Sequence, residues 1–216
     1  MNQPVLGIIG GGQLGSMLSE AAKKVDIKTV VLSDDPDAPA KNFVNKFIYG
    51  KYNDTKIITE FVNSVDLVTY EFENIPFDIL NEINKSKSVL PKPEINSLIQ
   101  NRLTEKDFLN KNNIRTTNYA LIKNKDEIKD NENLLPGLLK TTTLGYDGKG
   151  QYKLNSLIDI NEDIDFTKEY ILEKFINLKK EISIVICRFG DQKYEIYEPI
   201  ELSLIHISEP TRQDSI

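Results

Sequence analysis

The sequence predicts an α/β protein in which a doubly wound parallel sheet is followed by a mostly antiparallel α+β unit. Strand-like apolar runs alternate with helical patterns through the first half of the chain, as in parallel sheets. In the second half, short strand-like runs follow one another with turns between them, which indicates antiparallel pairing. At 216 residues the chain is long enough to bury a core in one large domain or two small ones.

The elements of the first half follow from local patterns. "PVLGIIG" is a continuous apolar run suited to a buried parallel strand, and residues 14–25 have helical periodicity. "KTVVLSD" and "KFIYGKY" are further strands, with the short helical segment "DAPAKNF" between them. "DTKIITEFVN" is a helix with Asp54 as its N-cap, "DLVTYEFEN" a strand, "IPFDILNEINKS" a helix and "SVLPKP" a short strand. Ligands bind such sheets at the carboxyl ends of the strands, where residues 10–15 and 71–74 fall.

A long polar helical region, "EINSLIQNRLTEKDFLNKNNI", opens the second half. Pro91 and Pro93 precede it and indicate a domain boundary. The strand-like runs that follow are "NYALIK", "LLPGLLKTT", "GQYKLN", "EYILEKF", "KKEISIVICRF" and "KYEIYEPIE".

Composition and charge exclude several classes of protein. The net charge of −6 leaves no excess of Lys and Arg to neutralise phosphates, so we do not expect a general nucleic-acid partner. No apolar run approaches the roughly 18 residues of a membrane span, so no membrane partner is expected. The single cysteine, Cys187, is expected to be a buried strand thiol, and it fits a reducing, cytoplasmic location.

The last fifteen residues, "LSLIHISEPTRQDSI", are expected to be foreign to the protein. Leu202 to Arg212 resemble the translation of a transposon-end sequencing adapter. We therefore expect the natural sequence of this chain to end at Glu201 and the protein to be cut short there. The one histidine, His206, lies in this tail, so residues 1–201 offer no histidine for acid–base or metal chemistry.

A first glycine motif follows the first strand. Gly10, Gly12 and Gly15 form a G-x-G-x-x-G, and Asp34 comes nineteen residues after Gly15. This spacing is that of a dinucleotide-binding fingerprint. The motif alone therefore leaves open whether the turn binds NAD or serves another ligand.

A second glycine motif stands in "LLKTTTLGYDGKGQYKL". Lys140 ends an apolar strand, and a glycine loop leads to a return strand that begins near Gln151. Such loop amides and a lysine can hold the phosphates of ATP, although a plain hairpin turn fits the pattern equally well. Further on, Glu173 is followed by residues whose backbone could read an adenine edge, and Glu181 could accept hydrogen bonds from a ribose.

This order of lysine strand, glycine loop, linker and glutamate resembles the ATP-grasp arrangement. More specifically, "GGGQLG", "YEFENI", "NRLTEK", "KTTTLGYDGKGQ" and "EKF…KKEIS" resemble the PurK-type 5-(carboxyamino)imidazole ribonucleotide synthetases over residues 4–201. The resemblance implies four segments. Residues 1–95 form a Rossmann-like pre-ATP-grasp substrate domain, 96–172 a linker helix and ATP-grasp lid subdomain, 173–201 the start of an incomplete C-terminal ATP-grasp subdomain, and 202–216 the tail.

The resemblance also implies the site residues. It assigns substrate binding to Gln13, Leu14 and Glu73, with Tyr146 and Asp147 reaching over from the loop; the phosphate of the ribonucleotide is expected at the helix N-terminus of Gln13 and Leu14. It assigns no catalytic side chain and no metal ligand within the chain, and Arg115 and Arg188 match no site of the family. ATP binding is assigned to Arg102, Lys140, Gly145, Tyr146, Asp147, Gly148, Lys149, Gly150, Gln151, Glu173, Lys174, Phe175, Ile176 and Glu181.

The function that the resemblance implies is the ATP- and bicarbonate-dependent carboxylation of 5-aminoimidazole ribonucleotide, through carboxyphosphate, in purine biosynthesis. It implies Mg²⁺ as a cofactor, with ligands after Glu201, and a homodimer as the habit of the family. We therefore expect the parent protein to be a ligase and this chain by itself to be inactive. The alternatives are another ATP-grasp ligase, such as a formate-dependent ribonucleotide transformylase or a biotin carboxylase, an NAD-dependent oxidoreductase, and a non-catalytic nucleotide-binding regulator.

Overall fold

The structure, a computed structural model, describes residues 3–71, 73–144 and 150–202. The chain divides into two compact units, Met1–Lys174 and Phe175–Ile216. We call them the first unit and the second unit. The tail predicted to be foreign lies outside the described residues, except for Leu202.

The first unit opens with a four-stranded parallel sheet in the order β3-β2-β1-β4, which confirms the predicted doubly wound fold. The chain runs from β1 outwards to β3 and then returns to place β4 on the other side of β1. The sheet therefore has its topological switch point between β1 and β4. The elements are β1 (Val5–Ile9), α1 (Gln13–Lys24), β2 (Lys28–Ser33), a 3₁₀ turn (Pro39–Asn42), β3 (Lys46–Tyr49), α2 (Thr55–Asn63), β4 (Leu67–Tyr70) and α3 (Phe77–Asn84).

Both faces of this sheet are buried, which explains the unbroken apolar runs of its strands. Successive side chains of a strand point to opposite faces. Ile8 and Val31 accordingly pack in one cluster, whereas Ile9, Val30 and Phe61 pack in another. The strands are thus apolar at consecutive positions, as expected for a parallel sheet covered on both sides.

Two predicted elements differ from the structure. "SVLPKP" forms no strand; its contribution to the sheet is a single bridge from Val89 to Val68, and a cis peptide bond links Leu90 to Pro91. The long helical region is two helices, α4 (Pro93–Ile99) and α5 (Arg102–Lys111), separated at Asn101. The Asn101 side chain accepts hydrogen bonds from the amides of residues 103 and 104 and so caps a new helix.

The first unit contains a second sheet, which is antiparallel with the order β5-β8-β6-β7, as predicted. Tyr170 and Leu172 of β8 and Leu139 of β6 are buried in its own core cluster, separate from those of the parallel sheet. The elements are β5 (Tyr119–Ile122), α6 (Lys125–Asp130), 3₁₀ turns at Glu132–Leu134 and Leu157–Asp159, β6 (Gly137–Thr141), β7 (Gln151–Leu154) and β8 (Tyr170–Lys174). The short helix α6 has no counterpart among the predicted elements.

Between residues 175 and 202, the described part of the second unit, four short strands form two antiparallel pairs, β9 with β12 and β10 with β11. Cys187 lies on β10 and is exposed, so the expectation of a buried thiol is wrong. The strands are β9 (Glu181–Ser183), β10 (Ile186–Gly190), β11 (Lys193–Ile196) and β12 (Ile200–Leu202). Across the described parts of both units, no helix is long and apolar enough to cross a membrane.

The predicted cap of α2 gives a direct test of the fold. The Asp54 carboxylate accepts hydrogen bonds from the amides of Lys56 and Ile57. Replacing Asp54 with alanine should lower the free energy of unfolding by about 1 kcal/mol, measured by urea denaturation. Asp78→Ala is the matched control, since Asp78 lies in the first turn of α3 without a capping hydrogen bond. Equal losses in the two variants would contradict this role of Asp54.

Candidate functional site

The second glycine motif lies on the β6–β7 hairpin. Lys140 pairs with Gln151 across the two strands, and the Thr141 amide donates a hydrogen bond of 2.9 Å to the Gly150 carbonyl. Gly150 has φ +68°, and a Cβ there would lie 2.9 Å from the Thr141 hydroxyl oxygen. Glycine is therefore required where the loop rejoins β7. The rest of the predicted loop, Gly145, Tyr146, Asp147, Gly148 and Lys149, lies outside the described residues.

A carboxylate lies between two lysines beside this hairpin. The Glu173 carboxylate is 3.0 Å from Nζ of Lys140 and 3.4 Å from Nζ of Lys106. The exposed fractions of these side chains are 11% for Glu173, 23% for Lys140 and 15% for Lys106. Two ammonium groups therefore share one carboxylate, and one positive charge is in excess. This charge group, defined as Lys106, Lys140 and Glu173, is suited to an anionic ligand.

Lys106 was not among the residues selected from the sequence. Its ammonium lies 3.3 Å from the Thr116 hydroxyl and 5.6 Å from the centre of the Tyr119 ring, in addition to its contact with Glu173. It lies on α5, whose sequence reads as an ordinary solvated helix. Its pairing with Glu173 depends on the packing of α5 against the antiparallel sheet, so no local pattern could have indicated it.

Arg102 connects the start of α5 to the end of β6. Its amide donates to the Thr142 carbonyl at 2.8 Å, and its guanidinium donates to the Thr141 carbonyl, also at 2.8 Å. The side chain therefore lies beside the residues where the glycine loop begins. Arg102 and the charge group are thus at the same hairpin, as expected if both hold phosphates.

Two open clefts adjoin this region of the first unit. The larger, of about 520 Å³, is lined among others by Asn101, Thr142 and Gly150. The smaller is lined by Glu73 and Arg102, so it brings a predicted substrate residue next to a predicted ATP residue. Leu144 lines both clefts.

The segment that carries Glu73 is tied to the helix junction. The side-chain amide of Gln100 donates to the backbone carbonyl of Glu73 at 2.6 Å and to that of Ile75 at 2.7 Å. The side-chain amide of Asn96 also donates to the Ile75 carbonyl, at 2.9 Å. The Glu73 side chain itself is exposed and accepts a hydrogen bond of 3.4 Å from Asn74. Its backbone is therefore fixed while its carboxylate remains accessible.

The first glycine motif holds a side chain of the protein itself. Gln13 and Leu14, both exposed, form the first turn of α1. The Glu71 carboxylate, from the end of β4, accepts hydrogen bonds from the amides of Gly12 at 3.0 Å and Gly15 at 2.5 Å. This contact, which no local pattern in the sequence indicates, occupies part of the helix N-terminus assigned to the phosphate.

The remaining predicted residues are described unit by unit. Gln151 is exposed at the start of β7, and the Lys174 ammonium donates to the Asn133 carbonyl at 3.1 Å. In the second unit, Phe175 and Ile176 have exposed side chains. Also in that unit, one carboxylate oxygen of Glu181 is buried and has no hydrogen-bond partner among the described residues. Such an atom is suited to accept a hydrogen bond from a ligand.

Over the parts of the chain that the structure describes, no group of three or more His, Cys, Asp or Glu side chains is arranged to hold a metal ion.

Comparison with known families defines the class of protein. Residues 3–100 match the family described as the ribonucleotide synthetase preATP-grasp domain, and residues 107–207 match the ATP-grasp domain. The interval between the two matches contains the start of α5, where Arg102 contacts the hairpin. The chain is therefore an ATP-grasp protein with a pre-ATP-grasp domain in front.

Individual relatives narrow this class. The N5-carboxyaminoimidazole ribonucleotide synthase of Staphylococcus aureus strain MRSA252 is 36% identical over 200 residues, which are 91% of this chain and 53% of that protein. The crystal structure of the S. aureus synthetase complexed with ADP matches with a TM-score of 0.86 at 34% identity, covering 92% of this chain and 54% of that one. The Aspergillus clavatus enzyme, in complex with ADP and 5-aminoimidazole ribonucleotide, matches with a TM-score of 0.81 at 26% identity, covering 93% and 54%.

Over nine tenths of its length the chain is thus similar to the PurK-type N5-carboxyaminoimidazole ribonucleotide synthetases, as its motifs indicated. It spans about half the length of the relatives that it matches.

The contribution of the charge group to stability can be tested by removing its carboxylate. Replacing Glu173 with glutamine should leave two partly buried ammonium groups without a counter-charge and lower the free energy of unfolding by roughly 3–5 kcal/mol, measured by urea denaturation. Glu169→Gln is the control, because Glu169 pairs with Lys123 at the surface and should contribute less than about 1 kcal/mol. A loss at Glu173 no larger than the loss at Glu169 would show that the carboxylate does not hold the group together.

Proposed function

We propose that this chain is the nucleotide-binding part of an ATP-dependent ligase that carboxylates 5-aminoimidazole ribonucleotide with bicarbonate. The observation that carries the proposal is the charge group beside the glycine hairpin. Lys106, Lys140 and Glu173 together carry one excess positive charge, and the hairpin loop starts directly after Lys140 and Thr141. Loop amides next to a fixed ammonium group suit the phosphates of a nucleoside triphosphate.

The residues near the hairpin are proposed to bind the different parts of ATP. Lys140 binds phosphate oxygens as a point charge, while Glu173 and Lys106 fix the position of its ammonium. Arg102 is proposed to hold the base of the loop and also to bind a phosphate. The loop residues 145–151 are proposed to bind the phosphates with it. Lys174, Phe175 and Ile176 present backbone groups to adenine, and Glu181 accepts hydrogen bonds from the ribose. The buried, unsatisfied oxygen of Glu181 supports that last role.

The substrate side is proposed at the carboxyl edge of the parallel sheet. Gln13, Leu14 and Glu73 contact the ribonucleotide there, with Tyr146 and Asp147 reaching it from the loop. The exposed Glu73 carboxylate is chemically suited to bind the exocyclic amine or a ribose hydroxyl. The relative from A. clavatus, whose structure holds ADP and 5-aminoimidazole ribonucleotide, supports this assignment of ligands.

The proposed reaction has two steps. A bicarbonate oxygen attacks the γ-phosphorus of ATP, ADP leaves and carboxyphosphate forms. The exocyclic amine of the ribonucleotide then attacks the carboxyl carbon, which releases inorganic phosphate and a proton. Neither step needs a protein nucleophile, so the residues act by positioning the reactants, neutralising charge and excluding water from the labile intermediate.

The cofactor and partner proposals extend beyond this chain. Mg²⁺ is proposed from the family as a cofactor that would neutralise phosphate charge, but the described residues form no carboxylate cluster that fits it. A homodimer and a cytoplasmic location are likewise proposals; the use of a single cysteine in the whole chain supports the latter.

The role of Lys140 can be tested by nucleotide binding. In Lys140→Met, a charge-assisted contact with the phosphates is lost, and we expect ATP to bind roughly ten- to a hundredfold more weakly by calorimetry. Lys125→Met, at the exposed start of α6, is the control and should bind ATP like the wild type. Unchanged affinity in a folded Lys140→Met variant would remove the lysine from the site.

Turnover tests the expectation that residues 1–216 are inactive alone. The chain is incubated with ATP, Mg²⁺, bicarbonate and 5-aminoimidazole ribonucleotide, and ADP release is followed by a coupled assay. We expect no release above the background without ribonucleotide, because the described residues contain no group of carboxylates arranged to hold Mg²⁺. Release that depends on the ribonucleotide would contradict this expectation and at the same time support the proposed reaction.

A further inference from the structure

The glycine turn of α1 contains an anion supplied by the chain itself. The Glu71 carboxylate accepts from the amides of Gly12, at the N-cap of α1, and of Gly15, in its first turn. These amides point out of a helix N-terminus, where the peptide dipoles favour a negative charge. We call the two amide groups the anion seat. In dinucleotide-binding proteins the pyrophosphate lies at this position.

The three glycines of the fingerprint are packed against the same side chain. A Cβ on Gly10 would lie 2.4 Å from Cγ of Glu71, and a Cβ on Gly12 would lie 2.6 Å from its Oε1. A Cβ on Gly15 would lie 2.8 Å from the Gly10 carbonyl oxygen and 3.3 Å from Oε2 of Glu71. The motif is therefore accounted for by the Glu71 side chain, by the φ of +99° at Gly10 and by the close approach of Gly15 to the Gly10 carbonyl, and it needs no bound pyrophosphate.

The position of Glu71 follows from the order of the strands. β4 lies beside β1 on the side opposite β2, so the residue after β4 reaches the turn after β1 at the switch point of the sheet. The Glu71 amide donates to the Ile9 carbonyl at 3.0 Å, which fixes the start of the side chain next to the turn. The carboxylate thus lies in the crevice where open α/β sheets bind their ligands.

The acidic residue of the fingerprint is also engaged within the chain. Asp34 follows β2, and Tyr52 lies near it. Burial raises the pKa of the Tyr52 hydroxyl well above its ordinary value, and the negative charge of the nearby Asp34 carboxylate raises it further. A dinucleotide would need the positions that Glu71 and Asp34 occupy. The Glu71 carboxylate contacts the glycine turn, and the Asp34 carboxylate lies close to Tyr52.

We propose that Glu71 is a specificity-determining residue, whose carboxylate fills the anion seat and excludes phosphate and pyrophosphate groups from the N-terminus of α1. A phosphate placed there would lose the amides of Gly12 and Gly15 and would meet a like charge. The expectation that the ribonucleotide phosphate binds at this turn is thereby replaced. The inference holds whether or not the chain binds ATP.

The turn still has donors for a different kind of group. Within the described part of the chain, the amides of Gln13 and Leu14 have no hydrogen-bond acceptor in the protein. Two open N–H groups beside a carboxylate suit a hydroxyl or an amine, which can accept and donate, better than a phosphate, which only accepts. The ligand portion that reaches Gln13 and Leu14 is therefore a neutral or amine-bearing portion, and its phosphate lies elsewhere.

The proposal can be tested by removing the Glu71 carboxylate from the anion seat and measuring whether phosphate then binds there. Glu71→Ala is compared with wild type and with Glu20→Ala, which removes an exposed glutamate from the same helix. Inorganic phosphate is titrated into the full 216-residue chain by calorimetry and by thermal denaturation, with ionic strength held constant by sodium chloride. Any phosphate site elsewhere is common to all three proteins and cancels in the comparison.

We expect phosphate to bind Glu71→Ala at least tenfold more tightly than wild type and to raise its melting temperature, while Glu20→Ala behaves like wild type. Glu71→Gln, which keeps the volume but loses the charge, should show a smaller gain. If Glu71→Ala is unfolded without phosphate, phosphate should restore its far-UV circular dichroism. The proposal is overturned if Glu71→Gln binds phosphate no better than wild type and Glu71→Ala neither gains affinity nor refolds with phosphate.

Discussion

The carboxylate of Glu173 is the point at which three distant parts of the first unit meet. Lys106 arrives on α5, Lys140 on β6 and Glu173 on β8, and each would leave a poorly solvated charge if the others were missing. Separation of these charges is costly, whereas their mutual contact offsets much of the desolvation. The same requirement brings α5 and the hairpin together, so Arg102 lies against Thr141. The electrostatics that hold the unit together therefore also shape its candidate site.

Much of the fold could be predicted because its signals are local. Buried parallel strands produce apolar runs, and Asp54 directly before an amphipathic segment indicates the N-cap of α2. The break at Asn101 could not be predicted, because asparagine is tolerated inside a helix and the polar pattern continues through it. Val89 is likewise a residue type that favours strands. Prolines at 91 and 93 cannot donate backbone hydrogen bonds, and the segment forms only a single bridge, at Val89.

The candidate site could be predicted from the sequence only in part. The sequence pattern around the second glycine motif selected Lys140 and Glu173, and the family resemblance added Arg102. The structure brings all three to one hairpin. Lys106 and Glu71 were missed because their partners are distant in sequence, and side-chain pairs of that kind have no local pattern. "YEFEN" contains two acids two positions apart. Only the three-dimensional structure distinguishes Glu71, which turns into the sheet edge, from Glu73, which stays exposed.

The contact between Glu71 and the glycine turn has a consequence for how this family can evolve. Gly10 and Gly12 have no room for a methyl group while a glutamate side chain lies against them. A change at Gly12 therefore requires a shorter side chain at position 71, and a change at 71 relaxes the demand for glycine at 12, whereas Gly10, with φ +99°, needs glycine for its backbone conformation as well. Positions 12 and 71 should therefore covary across homologues. In a distant homologue, the residue after the fourth strand, rather than the glycines, then indicates whether the turn is open to a nucleotide.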